Sequence, residues 1–230
     1  MITVTRTATA YVALGSNMGD RLGAMRAAVA ALDERSHTRV DFVSGVASLY
    51  ESAAVVPASH QHGQPPYLNS VVRLQTTLSP RDVLRTALQI EKSLGRIRRE
   101  RWGARIIDID LLFYDELVLR DIDLTLPHPR LQERRFVLYP LAEISGDLRH
   151  PTLDTTIPCL AWELVGAGGT AELTRVAGPE WVYARPLLGS VVMPGPIPAD
   201  AVPPRDSRGD ARSSVATGPV ISGVAATARW

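Results

Sequence analysis

Residues 67–114 constrain the fold most, because the apolar period there changes from two to helical and back again. Tyr67-Leu68-Asn69-Ser70-Val71-Val72-Arg73-Leu74-Gln75-Thr76 alternates as a half-buried strand does. Ser79-Pro80-Arg81-Asp82 then opens a helix, with serine at the cap, proline at the first helical position and an acidic residue at the third. Val83, Leu84, Leu88, Ile90 and Leu94 carry that helix to Gly95. After an arginine-dense loop, residues 105–114 read as a β-branched and aromatic strand, expected to be central in its sheet.

The segment before this repeats the alternation. Tyr11-Val12-Ala13-Leu14 is a short apolar run that stops at Gly15-Ser16-Asn17, a strand entering a tight loop. Asp20 is placed to cap a helix whose Leu22, Met25, Val29 and Leu32 recur at helical spacing. Residues 40–50 read as one strand. Residues 52–66, with three prolines and two histidines, read as a mobile loop. A further short helix begins at Arg135. Strand-helix-strand, twice over, predicts an α+β sandwich with helices covering a mainly antiparallel sheet.

Composition closes off several classes of function. The formal net charge is +1, so any basic site is local and a general nucleic-acid coat is not expected. Lys92 is the one lysine, which leaves arginine to make any anion contacts. The lone Cys159 cannot form an internal disulfide and reads as a small buried hydrophobe in a cytoplasmic protein. No apolar run approaches a membrane span. Past about residue 166 the chain turns rich in Pro, Gly, Ala, Ser and Thr. Residues 8–165 are therefore expected to form the domain, and 166–230 a largely disordered extension.

Asp108-Ile109-Asp110 is the sharpest chemical signal. Alternate strand residues share a face, so both carboxylates project together from an otherwise apolar strand, an arrangement that a hard divalent cation resolves. A solvated edge strand is the plain alternative. Arg96, Arg98, Arg99, Arg101 and Arg105 crowd the preceding ten residues, and Arg130, Arg134 and Arg135 follow His128. Arginines beside paired carboxylates suit phosphoryl transfer. Gly15-Ser16-Asn17-Met18-Gly19 lacks the ending of a Walker A loop, and no zinc spacing or nucleophile elbow appears. His60 and His62 read as solvated loop residues.

Tyr11 to Asn17, Pro66-Tyr67-Leu68-Asn69, Arg101-Trp102-Gly103-Ala104-Arg105-Ile106-Ile107-Asp108-Ile109-Asp110-Leu111-Leu112, Leu126-Pro127-His128-Pro129 and Arg134-Arg135-Phe136 occur in this order. Together they resemble the 6-hydroxymethyl-7,8-dihydropterin pyrophosphokinase family of folate biosynthesis, over about residues 8–165. The resemblance implies a ferredoxin-like α+β sandwich and an ATP-dependent transferase that moves pyrophosphate to the pterin hydroxymethyl group, releasing AMP. Two Mg2+ ions on Asp108 and Asp110 are implied, with Arg96, Arg98 and Arg105 as catalytic arginines. Glu91, Ile109, His128 and Arg134 match further ATP-binding positions. Ser52, Ala53, Val55, Tyr67, Asn69 and Asp108 match the pterin site, where Trp102 and Phe136 would sandwich the ring.

Two positions depart from the family pattern: Ser52-Ala53-Ala54-Val55 replaces a Thr-x-Pro-type segment, and Pro129 stands where an aromatic is common. The expected protein is a cytoplasmic monomer that binds its two small substrates and neither nucleic acid nor membrane. The alternatives are another magnesium-dependent phosphotransferase on this fold, or an RNA-binding α+β module. The latter is disfavoured by the absence of clustered strand aromatics.

Overall fold

The computed structural model describes residues 6–34, 42–55, 64–96, 103–166 and 173–183. In chain order the elements are β1 (Ala8–Ser16), α1 (Arg21–Glu34), β2 (Phe42–Val46), β3 (Leu49–Ser52), β4 (Tyr67–Thr76), α2 (Pro80–Ser93) and β5 (Asp108–Tyr114). The short β6 (Leu119–Arg120) and β7 (Thr125–Leu126), then α3 (Arg135–Ser145), β8 (Arg149–His150), β9 (Thr155–Thr156), α4 (Ile157–Gly166) and β10 (Leu173–Ala177) follow. The main sheet runs β10-β3-β4-β1-β5, with β2 also paired to β4, and every pairing is antiparallel. The α+β sandwich expected from the sequence is the fold observed.

Local chemistry explains the elements that frame the site. The Ser79 hydroxyl accepts from the Asp82 backbone N–H at 3.2 Å, which satisfies one of the free donors at the start of α2. Along α2, Val83, Ala87, Ile90 and Glu91 are buried, one continuous face turned to the sheet. Asp20 does the same for α1, accepting from the Gly23 N–H at 2.9 Å. In β4 the run Leu68 to Val72 is buried at every position, because helices cover both faces of the sheet.

The two layers are distinct. Val12, Leu14, Val72, Leu74, Ile109 and Leu111 pack with Met25, Val29 and Ile90 of α1 and α2. On the opposite face, Tyr11, Val71 and Leu112 pack with Val137, Leu138 and Leu141 of α3 and with Ile157 and Leu160 at α4. A buried leucine or valine contributes roughly 1.5–3 kcal/mol, so both layers stabilise the sheet between them.

Two expectations change. Residues 40–50 do not form one strand: the chain breaks at Ala47-Ser48, and β2 and β3 pair with different parts of β4. The break has a partner of its own, since the Ala47 N–H donates to Val71 O at 2.9 Å. The strand bearing Asp108 is also not central. Among the described residues β5 pairs with β1 alone, which puts it at the sheet edge. Its apolar content reflects helices above and below rather than strands on both sides. Among the described residues beyond 166, β10 adds to β3 and Trp181 is buried in the α1/α2 layer.

Candidate active site

Register places the site. Gly15 of β1 pairs with Asn69 of β4 on one side and with Asp108 of β5 on the other, so the three residues form a row across three strands. The next row on the same face is Val71, Ala13 and Asp110. Gly15 leaves the centre of the first row open. A Cβ there would lie 3.7 Å from Asn69 Oδ1, 3.7 Å from Tyr67 Cδ1 and 3.9 Å from Asp108 Cβ. Tyr67, Asn69 and Asp108 thus border a single hollow.

Asp108 is an edge-strand carboxylate, yet it is ion-paired and its side chain is only 16% exposed. Arg96 Nη1 lies 2.8 Å from Oδ1, and Arg105 Nη1 donates to Oδ2. Arg96 also donates to Glu91 Oε1, the same oxygen that accepts the Ile109 N–H at 2.8 Å. Glu91 is 2% exposed on the last turn of α2. Burial pushes its carboxyl above the usual range, Arg96 pulls it down, and the Asp108 charge pushes it up again. Burial is the largest single effect and works against the Arg105 charge, but Asp108, Tyr67 and Asp110 together outweigh it and the guanidinium is held more firmly protonated.

Asp110 sits deeper in the electrostatic sense. Burial first, and the Asp108 carboxylate second, push its carboxyl far above the ordinary range, with Arg134 opposing. An acid so placed invites a compensating cation. Asp108 and Asp110 supply hard oxygen ligands, and no group of three or more acidic, histidine or cysteine side chains is gathered for a metal among the described residues. That donor set fits magnesium, which takes one or two carboxylates and fills its other positions with water and phosphate oxygens.

Behind Asp110, the Arg134 guanidinium carbon lies 5.8 Å from the centre of the Phe136 ring, a cation–π contact at the start of α3. Burial, then Arg134 and Arg130, hold the His128 imidazole down to about 3, so it is neutral at physiological pH. The His128 N–H donates to Leu112 O at 2.9 Å, which ties this segment to β5.

The remaining expected residues sort as follows. Asn69 Nδ2 donates to Ser52 Oγ at 3.0 Å, so Ser52 orients the amide. Ala53 and Val55 are exposed just past the end of β3. The Ile109 side chain belongs to the α1/α2 layer, so toward the site it offers only backbone. Arg130 pairs with Glu133, and Arg135 donates to Leu164 O on α4, which takes both away from the carboxylates. Arg98, Arg99, Arg101 and Trp102 lie outside the described residues, as do His60 and His62.

Asn17 is the residue that the sequence reading passed over. It is 1% exposed, and its Oδ1 accepts the Arg105 N–H at 2.7 Å while its own N–H donates to Arg105 O at 3.0 Å. Its Nδ2 reaches Gln64 Oε1 at 3.3 Å and Pro65 O at 3.2 Å. Ser16 Oγ adds a 2.6 Å bond to Ile106 O. The only local signal was a polar Ser-Asn pair ending an apolar strand. Its partners stand 47 to 90 residues away and cannot be read from spacing.

The chain matches the family described as 7,8-dihydro-6-hydroxymethylpterin-pyrophosphokinase (HPPK) over residues 11–146. It is 43% identical over 182 residues to the 2-amino-4-hydroxy-6-hydroxymethyldihydropteridine pyrophosphokinase of Synechocystis, covering 76% of this chain and 88% of that one. The Bacillus subtilis protein of the same name is 44% identical over 135 residues, covering 59% of this chain and 77% of the relative. Among solved structures, Plasmodium falciparum HPPK-DHPS with pterin and p-hydroxybenzoate shares the fold, with a TM-score of 0.55 at 16% identity. That likeness covers 70% of this chain and 44% of the longer Plasmodium chain. On the matched segment and these identities, the chain belongs to the 7,8-dihydro-6-hydroxymethylpterin-pyrophosphokinase family.

Proposed function

We propose that this protein transfers pyrophosphate from ATP to the hydroxymethyl group of 6-hydroxymethyl-7,8-dihydropterin, giving AMP, as a step of folate biosynthesis. Family membership supports the reaction, and one observation carries its location: the Asn69–Gly15–Asp108 row, which sets an edge-reading amide beside an arginine-bound carboxylate.

On this reading the row divides the two substrates. Asn69 offers an acceptor toward the hollow, as the amide-like edge of a pterin requires, and Tyr67 borders the same space. Phe136 and Trp102 would hold the ring between two aromatic faces. Asp108 and Asp110 would hold two magnesium ions with the ATP phosphates. A metal bound there would supply positive charge to offset that of the phosphates. Arg96, Arg98 and Arg105 would donate to the phosphate oxygens, with Arg134, neutral His128, Glu91 and the Ile109 backbone lining the nucleotide side. The acceptor hydroxyl oxygen bonds to the β-phosphorus as the bond from that phosphorus to the bridging oxygen breaks and AMP departs with that oxygen, and the hydroxyl proton is released to solvent water. No side chain is required to become covalently attached.

The proposal extends to a monomeric, cytoplasmic enzyme. No helix among the described residues is long and apolar enough to cross a membrane. The deciding assay follows AMP from ATP and Mg2+ with and without hydroxymethyl-dihydropterin. AMP formed only with the pterin is expected. ADP would select a different phosphotransferase, and absence of turnover would leave a binding module.

A further inference from the structure

Residues 173–183 stand outside the matched family segment, which ends at residue 146, yet they touch the part of the sheet from which the pterin side of the site is built. β10 lies antiparallel to β3, with Leu173 opposite Ser52, Thr174 opposite Glu51 and Arg175 opposite Tyr50. β3 itself has four residues and only three paired positions on β4. A strand that short is weakly held from one side. β10 gives it a second neighbour.

The chain then turns and buries Trp181, which is 2% exposed. Its indole N–H donates to Ala47 O at 2.9 Å, and its own carbonyl accepts from Arg26 Nε of α1 at 2.7 Å. Ala47 is the joint between β2 and β3. One residue therefore pins the start of β3 to the helix layer, while β10 pairs along the strand to its end. That end is Ser52, whose hydroxyl takes the Asn69 amide N–H and so leaves Asn69 Oδ1 on the side of the Gly15 hollow.

We infer that Trp181 and β10 form a brace that positions Ser52, and through it the Asn69 amide, for the pterin. Trp181 and the β10 residues are positioning residues, since none of them borders the hollow. The inference rests on the proposed pterin site. Its chemical content is specific: the brace acts on the acceptor half of the reaction and leaves the ATP half, built on α2 and β5, alone.

The test uses the full chain with Trp181→Phe, which keeps ring bulk and removes the N–H, and with Thr174→Pro, which breaks the β10 ladder. Hydrogen exchange and steady-state kinetics are measured on each, with melting temperature as the folding control. Faster exchange is expected at residues 49–52 and 67–69, with residues 108–114 unchanged. A rise of about 5- to 10-fold in the KM for the pterin is expected, from the loss of about one buried hydrogen bond's worth of order, with the KM for ATP within about twofold of wild type.

Folded variants with an unchanged pterin KM would overturn the inference, as would equal weakening of both substrates, which marks general loosening. If wild type forms no AMP with the pterin, the functional reading fails instead. The exchange arm then still decides whether the brace holds β3.

Discussion

Asn17 and Arg105 are joined by a pair of hydrogen bonds, Arg105 N–H to Asn17 Oδ1 at 2.7 Å and Asn17 N–H to Arg105 O at 3.0 Å. The arginine that grips Asp108 is thus aimed from its backbone. Asn17→Ala removes the acceptor and leaves the Arg105 N–H without it, a cost of about 1–3 kcal/mol. The expected result is a melting temperature lower by several degrees and a kcat reduced by about tenfold or more. A variant with wild-type kcat would show that Arg105 needs no such aim.

Asp110 predicts a trade between stability and activity. Its carboxyl is pushed upward in the folded state, so folding takes up a proton above the ordinary carboxylate range. Stability then falls as pH rises through that window, because the folded state binds more protons than the unfolded one. In metal-free buffer Asp110→Asn is expected to raise the melting temperature at pH 8 and to change it little at pH 4. Turnover should be lost. Added Mg2+ should narrow the stability gap by favouring the ionised wild type, and calorimetry in EDTA and in Mg2+ checks both.

Arg96 and Glu91 share one fate. Arg96 bridges Glu91 and Asp108, so Arg96→Ala strands a carboxylate on a residue 2% exposed. Removing one partner of a buried pair costs about 3–5 kcal/mol. The double variant Glu91→Gln with Arg96→Ala should recover much of that stability and none of the activity. A double-mutant cycle in urea, run beside single-turnover rates, separates the two roles. Full additivity would mean the pair is not coupled.

His128 gives a pH signature of the opposite sign to Asp110. Its imidazole is held down to about 3, so the unfolded chain binds the proton first as pH falls below its ordinary value. The contribution is complete above that value and is lost on acidification. Relative to His128→Asn, wild type should lose up to about 1.4 kcal/mol per pH unit below pH ~6.5. Parallel stability curves for the two proteins would contradict the neutral assignment.

Much of the frame was legible because it rests on local rules. The period of two gave β4 as Tyr67–Thr76, and the Ser-Pro-x-Asp start gave α2 from Pro80 with Ser79 as its cap. Side chains on one strand were equally readable: Asp108 and Asp110 do share a face. What depends on neighbours was hidden. The apolar content of β5 looked central, although helices rather than strands cover it. The break at Ala47 is defined by a bond to Val71, and the order at Trp181 by partners on α1 and at the β2–β3 joint. A composition shift past residue 166 could not report one tryptophan with a socket waiting for it.

The empty place at Gly15 makes the sheet a measuring rod. Adjacent strands stand ~4.8 Å apart, so Asn69 and Asp108 are two spacings, roughly 10 Å, from each other across a residue without a side chain. On the proposed reading, that interval sets how far apart donor and acceptor are held, and hydrogen-bond ladders fix it on both sides. A slip of β1 by one residue would set Leu14 or Ser16 in the gap and turn every neighbour over. The spacing of the two reactants is therefore written in backbone pairing, and the loops around it can change in length and composition without moving it.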